Sequence, residues 1–385
     1  MNQVARSLLT INAGSSSVRL ALYEYRDDRL ELVARARHDG VDEADAALLR
    51  EFLGASATDV GRVVHRVVYG GSRLGEACVI DEQVERDIER LKPIAPLHNP
   101  LALRWVRACR KVFGGDVTQV AVFDTAFFAA LPEVASTYAL PRTLCREFGL
   151  RRHGFHGIAH SVMLRQWRTA RPDLSAAGKV ITIQLGSGCS ITAVDGGQAR
   201  DTSMGFSPLE GLVMATRSGD LDPGLITYLQ RHAGKTLEDI DHLLNEESGL
   251  KGISEQSGDM RVLLESEDAA ARLAVDIYCY RVRKYTGAYL AVLGGADGVV
   301  FGGGVGENSP AVRRKILEGM DWLGISLDQD LNERAVGMDA AISASGSRIE
   351  VRVVCVDESA EMARVGSALT GTSNSEGKTG GDDSG

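Results

Sequence analysis

Two stretches of this chain repeat one pattern: "LLTINAGSSSVRLALYEY" at 8–25 and "VITIQLGSGCSITAVDGG" at 180–197. In the first, Leu8 to Asn12 reads as a short buried strand. From Ser17 the apolar Val18, Leu20 and Leu22 alternate with Arg19, Ala21 and Tyr23, the period of a half-buried strand. The second runs the same way through a Gly/Ser turn into another strand and a Gly-Gly turn. Thr10-Ile11 and Gly14-Ser15 match Thr182-Ile183 and Gly186-Ser187, with one residue of slack before Val18 meets Ile191. A unit recurring after about 170 residues is too widely spaced for a solenoid and implies two domains of similar fold, each opening with a hairpin.

The 385 residues suffice for two full cores, and 44% hydrophobic with 25% charged residues suits a soluble globular chain. Further strands are expected in 62–71, 117–125, 296–308 and 348–359. Helices are expected in 81–91, 100–112, 160–170, 268–293 (with Leu273, Ile277 and Tyr280 on one face), 309–318 and 358–370. Alternating strands and helices imply α/β domains with partly parallel sheets, whose ligands sit at the C-terminal ends of strands. The polar clusters of this sequence fall at those ends.

A net charge of −9 offers no general attraction to nucleic acid or an anionic membrane, so an anionic ligand must be held by local cations. The six cysteines are scattered without a CxxC, which suits a reduced cytoplasmic compartment. The N-terminal segment lacks the apolar core of a signal peptide, and no uncharged apolar run approaches the length of a membrane span. Residues 371–385, rich in Gly, Ser and Asp, read as a disordered tail.

Both hairpin turns and "GGGVGEN" at 302–308 are candidate phosphate cradles. Glycine permits close backbone approach, successive N–H groups form an anion nest, and Glu307-Asn308-Ser309-Pro310 reads as a helix start. Neither a Walker A sequence nor a GxGxxG after the first strand is present. The titratable candidates are His98, Asp124, His153, His156 and His160. The three clustered histidines have spacings open to zinc, yet Gly154 and Gly157 interrupt them and no Cys or Glu completes a set, so hydrogen-bonded structural histidines are the plainer reading. Asp124 follows an apolar strand, where a carboxylate ligates magnesium, orients a reacting group or caps a helix. Arg66 and Arg217 are either ordinary ion-pair partners or anion clamps, since a guanidinium presents a planar fork of permanent charge. Asn12 and Glu358 are oxygen donors of the kind that suits magnesium.

Taken in order, "NAGSSSVR", "HRVVYGG", "APLHNP", "VFDTAF", "YALP", "GFHG", "TSMGFSPLEGL", "TRSGDLDPG" and "GGGVGEN" resemble the acetate kinase family over residues 8–370. The resemblance implies two ribonuclease-H-like domains, the α/β fold shared by acetate and sugar kinases, heat-shock chaperones and actin, closing on an interdomain cleft. It implies a first domain at 1–148, with helix 358–370 packing on it, and a nucleotide-binding second domain at 149–357. It implies Arg66 as the substrate contact, Asp124 as the active-site carboxylate, and His156, Arg217 and His98 around the transferred group. Asn12 and Glu358 become magnesium-associated, while Arg19, Gln184, Leu185, Gly186, Ser187, Gly188, Asp259, Met260, Arg261, Gly304, Val305, Gly306, Glu307 and Asn308 become nucleotide contacts.

The activity so implied is Mg²⁺-dependent transfer from ATP to acetate, giving acetyl phosphate and ADP, in a cytoplasmic homodimer. Propionate or butyrate as acceptor, pyrophosphate as donor, and a nucleotide-binding regulator without turnover are the alternatives. The departures from the family pattern gather on the nucleotide side. Arg19 stands for Lys, Tyr69 for His, and Gln184, Ser187 and Cys189 for the His, Asn and Ser of the usual second hairpin.

Overall fold

The computed structural model describes residues 7–14, 17–27, 29–40, 44–92, 94–95 and 98–369. The proposed tail 371–385 and the turn serines Ser15 and Ser16 lie outside the described residues. The opening repeat folds as β1 (Ser7–Ala13) paired antiparallel with β2 (Ser17–Arg26), the turn held by a bond from Gly14 N to Ser17 O at 2.8 Å. To these add β3 (Arg29–Asp39), β4 (Val60–Val67), β5 (Cys78–Val79) and β6 (Thr118–Phe123), giving a sheet of order β3-β2-β1-β4-β6-β5.

The second repeat opens the second sheet, with β7 (Lys179–Leu185), β8 (Cys189–Asp195), β9 (Gln198–Thr202), β10 (Gly298–Gly302), β11 (Ala340–Ala341) and β12 (Glu350–Val353). Its order is β11-β12-β10-β7-β8-β9. Read from the outer hairpin strand inward, the two orders are the same. In each sheet an antiparallel meander of three strands is continued by two parallel ones, β4 and β6 or β10 and β12. The chain is a two-domain α/β fold.

Each sheet is covered on both faces. Leu9, Ile11, Leu20 and Leu22 pack with Leu49, Leu101 and Trp105 from the helices Ala46–Leu53 and Asn99–Phe113. On the other face Leu8, Ala21, Tyr23, Val64 and Val122 pack with Met362 and Ala363 of the helix Glu358–Ala368. The second sheet lies between the helix Gly157–Ala170, with Trp167 buried, and the helix Ala269–Leu293.

Four features differ from the sequence expectations. Strand β3 went unrecognised because it lies at the sheet edge with mostly exposed residues, so no apolar face marks it. In the helix Ala269–Leu293 the buried residues include Ala271, Ala274, Val275, Tyr278 and Val282, whereas Leu273 and Tyr280 are 53% and 62% exposed; of the face singled out in the sequence only Ile277 packs against the core. "GGGVGEN" is not an open loop. After Gly302, residues Gly303–Asn308 form a helical turn, and Ser309 caps the next helix, Pro310–Leu317, by accepting from Val312 N. Finally, the expected strand 62–71 ends at Val67, short of Tyr69 and the Gly pair.

The last helix sits tight on the first sheet. A Cβ added at Gly366 would meet Val64 Cγ2 at 2.3 Å, and Val64 is fully buried. Gly366→Ala is therefore expected to destabilise the fold by about 1–3 kcal/mol through overpacking, read as a lower urea midpoint. An unchanged midpoint would mean the helix shifts freely on the sheet.

Candidate active site

Arg66 on β4 and Asp124, the residue after β6, meet because β4 and β6 are parallel neighbours. Arg66 Nη2 donates to Asp124 Oδ2 at 2.6 Å, and its Nε lies 3.2 and 3.1 Å from the two carboxylate oxygens. Arg66 Nη1 donates to Asn12 Oδ1 at 3.0 Å, and Asn12 Nδ2 donates to Glu358 Oε2 at 2.6 Å. The side chains of Arg66, Asp124 and Glu358 are 13%, 1% and 11% exposed. Burial, only partly offset by Arg66, leaves the Asp124 carboxyl above the usual carboxylate range. For Arg66, burial is outweighed by Asp124 and Glu358, which hold its pKa up. The guanidinium meets both carboxylate oxygens, the geometry of a charge-assisted pair.

His156 precedes the helix Gly157–Ala170 in a left-handed conformation (φ +59°), uncommon for a residue with a Cβ. Gly157 explains the close seat of that helix: its N–H donates to Asp124 O at 2.9 Å, and a Cβ there would lie 2.1 Å from the same oxygen. His156 Nδ1 lies 2.9 Å from Ser190 Oγ, and the same hydroxyl is 2.8 Å from His160 Nε2. Ser190 thereby fixes the ring, with Nε2 toward the second hairpin: the place a Gly188 Cβ would occupy is 3.1 Å from His156 Nε2 and 3.7 Å from Arg217 Nη1.

Arg217 donates from Nη1 to Pro208 O at 3.0 Å and approaches Met214 Sδ at 3.7 Å; among the described residues it has no carboxylate partner. Burial and the charge of Arg66 lower its pKa, the signature of an uncompensated cation. The loop carrying Pro208 is anchored by Tyr138 of "YALP", whose hydroxyl donates to Glu210 at 2.5 Å. His98 and His156 are both pushed down to about 3, by burial first and then by the charges of Arg217 and Arg66. Both imidazoles are therefore neutral beside the two guanidiniums, Arg66 and Arg217.

Arg66 and His156 open into a cleft of about 330 Å³ between the sheets, lined on one side by Asn12, Arg19, Arg66 and Glu358, and on the other by His156, Gln184, Gly186–Gly188, Gly303, Gly304 and Glu307; Asp124, His98 and Arg217 are not in its lining. Gly303 has φ +77°, and a Cβ there would stand 2.6 Å from Leu185 O, so this crossing of β7 and β10 admits only glycine. Glu307 Oε1 accepts from Gly303 N and Val356 N at 2.9 and 3.0 Å, so it braces the cleft wall. Leu185 is wholly buried, Val305 is half-buried against the core, Gly306 O accepts from Arg313, and Asn308 bonds Gly304 O; these four support the turn and are not in the cleft lining.

Asp259, Met260 and Arg261 are not among the cleft-lining residues either. Asp259 and Arg261 pair with each other at 2.5 Å on the surface, and Met260 is buried in the core. Gly258 nevertheless abuts Ala215 O, and Ala215 N donates to Ser187 O, so this segment backs the second hairpin. Ser190 escaped sequence reasoning; its only signal was a hydroxyl at a buried position of an otherwise apolar strand. His153 bonds Tyr69 OH at 2.7 Å, apart from the other two, while His160 is bound by Thr182 and by the Ser190 hydroxyl it shares with His156.

The profile of the Acetokinase family matches residues 26–364. The acetate kinase of Chloroherpeton thalassium is 46% identical over 314 residues, 80% of this chain and 75% of that protein. The crystal structure of Porphyromonas gingivalis acetate kinase superposes with a TM-score of 0.86 at 34% identity, covering 94% of this chain and 99% of that one. A propionate kinase from Francisella tularensis gives 0.85 at 31% identity, covering 95% and 100%. The fold and these likenesses define a phosphotransferase of the two-domain kinase class. The chain belongs to the Acetokinase family.

Neutral buried imidazoles make a stability prediction. His153 is pushed down to about 4, mainly by burial, whereas an unfolded histidine titrates near 6.5. Between those values the unfolded chain binds the extra proton, so stability rises with pH from about 4 to 6.5 and the gain is complete above it. His153→Gln should flatten that slope by about 1.4 kcal/mol per pH unit in urea titrations. An unaltered slope would mean His153 is protonated in the fold.

Proposed function

We propose that this chain is an acetate kinase, transferring the γ-phosphoryl of ATP directly to acetate and running reversibly. The observation that carries the reading is Arg217: among the described residues a buried guanidinium without a carboxylate partner, which with His156 approaches Gly188 in the wall of a cleft that Arg66 also lines. A site that brings two anions together needs cations left uncompensated by the protein, and catalysis is then alignment and charge neutralisation.

In this reading Arg66 and Arg217 grip the acceptor carboxylate and the transferring phosphoryl, while His156 and His98, neutral at pH 7, donate hydrogen bonds without needing a proton from solvent. Ser190 holds His156 with Nε2 forward. The acceptor carboxylate is already ionised at pH 7, so no strong base is required. Met214, 3.7 Å from Arg217 Nη1, belongs to the same buried apolar cluster as Val68 and Phe155, and this cluster is the ground proposed for a short acyl chain. Phosphates lie along the backbone N–H groups of Ser187, Gly188 and Gly304, with Arg19 opposite, since the N–H groups of Gly186 and Gly303 are bonded within the protein.

The donor set fits magnesium. Glu358 keeps Oε1 without a hydrogen bond, Asn12 lies beside it, and among the described residues no group of three potential ligands forms a protein-only cage. Mg²⁺ is usually bound by one or two carboxylates plus water and phosphates. When bound it would neutralise phosphate charge. Residues 1–148 and 358–370 form one domain and 149–357 the other in this reading. Cytoplasmic location is supported by six free cysteines; among the described residues no helix is long and apolar enough to cross a membrane. Homodimerisation is supported by the exposed Leu273 and Tyr280 face, and Tyr280→Asp should yield monomers in analytical ultracentrifugation at concentrations where the parent is a dimer.

The test is hydroxylamine trapping of acyl phosphate with MgATP and, in turn, acetate, propionate and butyrate. Acetate should give most hydroxamate, since one methylene in a pocket discriminates by about 1–3 kcal/mol. Arg217→Ala should lower turnover by at least about a hundredfold with the melting temperature kept. Near-normal turnover would remove Arg217 from the mechanism. Product with pyrophosphate but not ATP would reassign the donor and point to Gln184, Ser187 and Cys189.

A further inference from the structure

Behind Arg19, adjoining the catalytic cleft, lies a second cavity of about 570 Å³. One wall is the β2–β3 hairpin. Arg19 stands directly opposite Arg37, and Ala21 opposite Arg35, so three guanidiniums share one face. The other wall is the segment Cys355–Ser359 entering the last helix, and the two cavities share Arg19, Val356 and Glu358.

Like charges directly opposite on paired strands repel. Asp39 takes up Arg37 at 2.9 Å, but among the described residues Arg19 and Arg35 make no hydrogen bond or ion pair. The acids on the far wall are engaged elsewhere: Asp357 caps the helix by accepting from Ala360 N at 2.9 Å, and Glu358 accepts from Asn12. Tyr23 also lines the cavity. It is 5% exposed, yet its hydroxyl has no hydrogen-bond partner. An unsatisfied buried donor is costly, and a ligand oxygen would remove the cost. Charged residues on an edge strand also discourage sheet extension, but that role needs neither a cavity nor an unpartnered hydroxyl behind it.

We infer that this cavity is a second anion site, which takes a small molecule with two or more negative charges, a polyphosphate or a polycarboxylate, between Arg19, Arg35 and Arg37, with Tyr23 donating to one oxygen. The site stands without the proposed reaction; only its influence on turnover rests on that reading, through the shared Arg19.

Isothermal titration of the full chain with pyrophosphate, and separately with citrate, tests it. At least one probe should bind the parent and Arg217→Ala alike. Its affinity should fall at least about tenfold in R35Q/R37Q, which loses charge-assisted hydrogen bonds, and severalfold in Y23F, which loses one hydroxyl. R35Q/R37Q should keep the parent melting temperature and its acyl hydroxamate yield without probe. Binding of pyrophosphate alone assigns a phosphate-type ligand, and of citrate alone a carboxylate-type one. Failure of both probes to bind at millimolar concentration overturns the site, as does binding that survives R35Q/R37Q and Y23F but vanishes in Arg217→Ala. Absence of hydroxamate from every acid, with this binding intact, would count against the proposed reaction alone.

Discussion

The ion pair between Arg66 and Asp124 is the contact on which the rest of the molecule is arranged. It joins neighbouring parallel strands of the first sheet and reaches through Asn12 to Glu358 at the start of the last helix. Buried charges persist only when paired and hydrogen-bonded, and removing one partner typically costs about 3–5 kcal/mol. The carbonyl of Asp124 also receives Gly157 N–H, which sets the depth of the helix that His156 precedes. The same residue thus holds a charge in place and positions the neighbouring imidazole.

Around that pair the electrostatics are deliberately incomplete. The chain carries a net charge of −9, yet the cleft is lined by Arg66 and Arg19, with Arg217 close to Gly188 in its wall. Burial and the charges of Arg66 and Arg217 hold His98 and His156 neutral, so both imidazoles keep a fixed protonation state. In the proposed reading, an arriving anion relieves the repulsion among these cations, while the net negative charge of the chain limits nonspecific capture of anions elsewhere.

Much of this was legible in the sequence because it lies in local patterns. Strand, Gly/Ser turn and alternating strand recur at 8–25 and 180–197, and the two sheets that grow from them have the same strand order. Arg66, Asp124, His156 and Arg217 were readable as polar residues at strand ends or in loops. What sequence missed depends on tertiary context. Strand β3 has no apolar face because its stabilisation is backbone pairing at an edge. The apolar Leu273 and Tyr280 stripe had the right helical spacing for a core face but turns outward, since small residues and Tyr278 fill the close contact with the second sheet. Ser190 matters only because two histidines converge on it, which no spacing along the chain reveals. Asp259 and Arg261 pair on the surface and Met260 enters the core, so their place in the family motif did not translate into cleft lining.

The last helix carries a consequence for the order in which the molecule is made. The first sheet begins at Ser7, yet one of its faces is closed by residues 358–368, whose Met362 and Ala363 cover Leu8 and Val64. During synthesis the first sheet emerges early with that face bare. The second sheet, contained within residues 179–353, has all its strands before the closing helix leaves the ribosome. Because domains generally fold as units during synthesis, the domain made first is the domain finished last, and Glu358 reaches Asn12 only when nearly the whole chain is available.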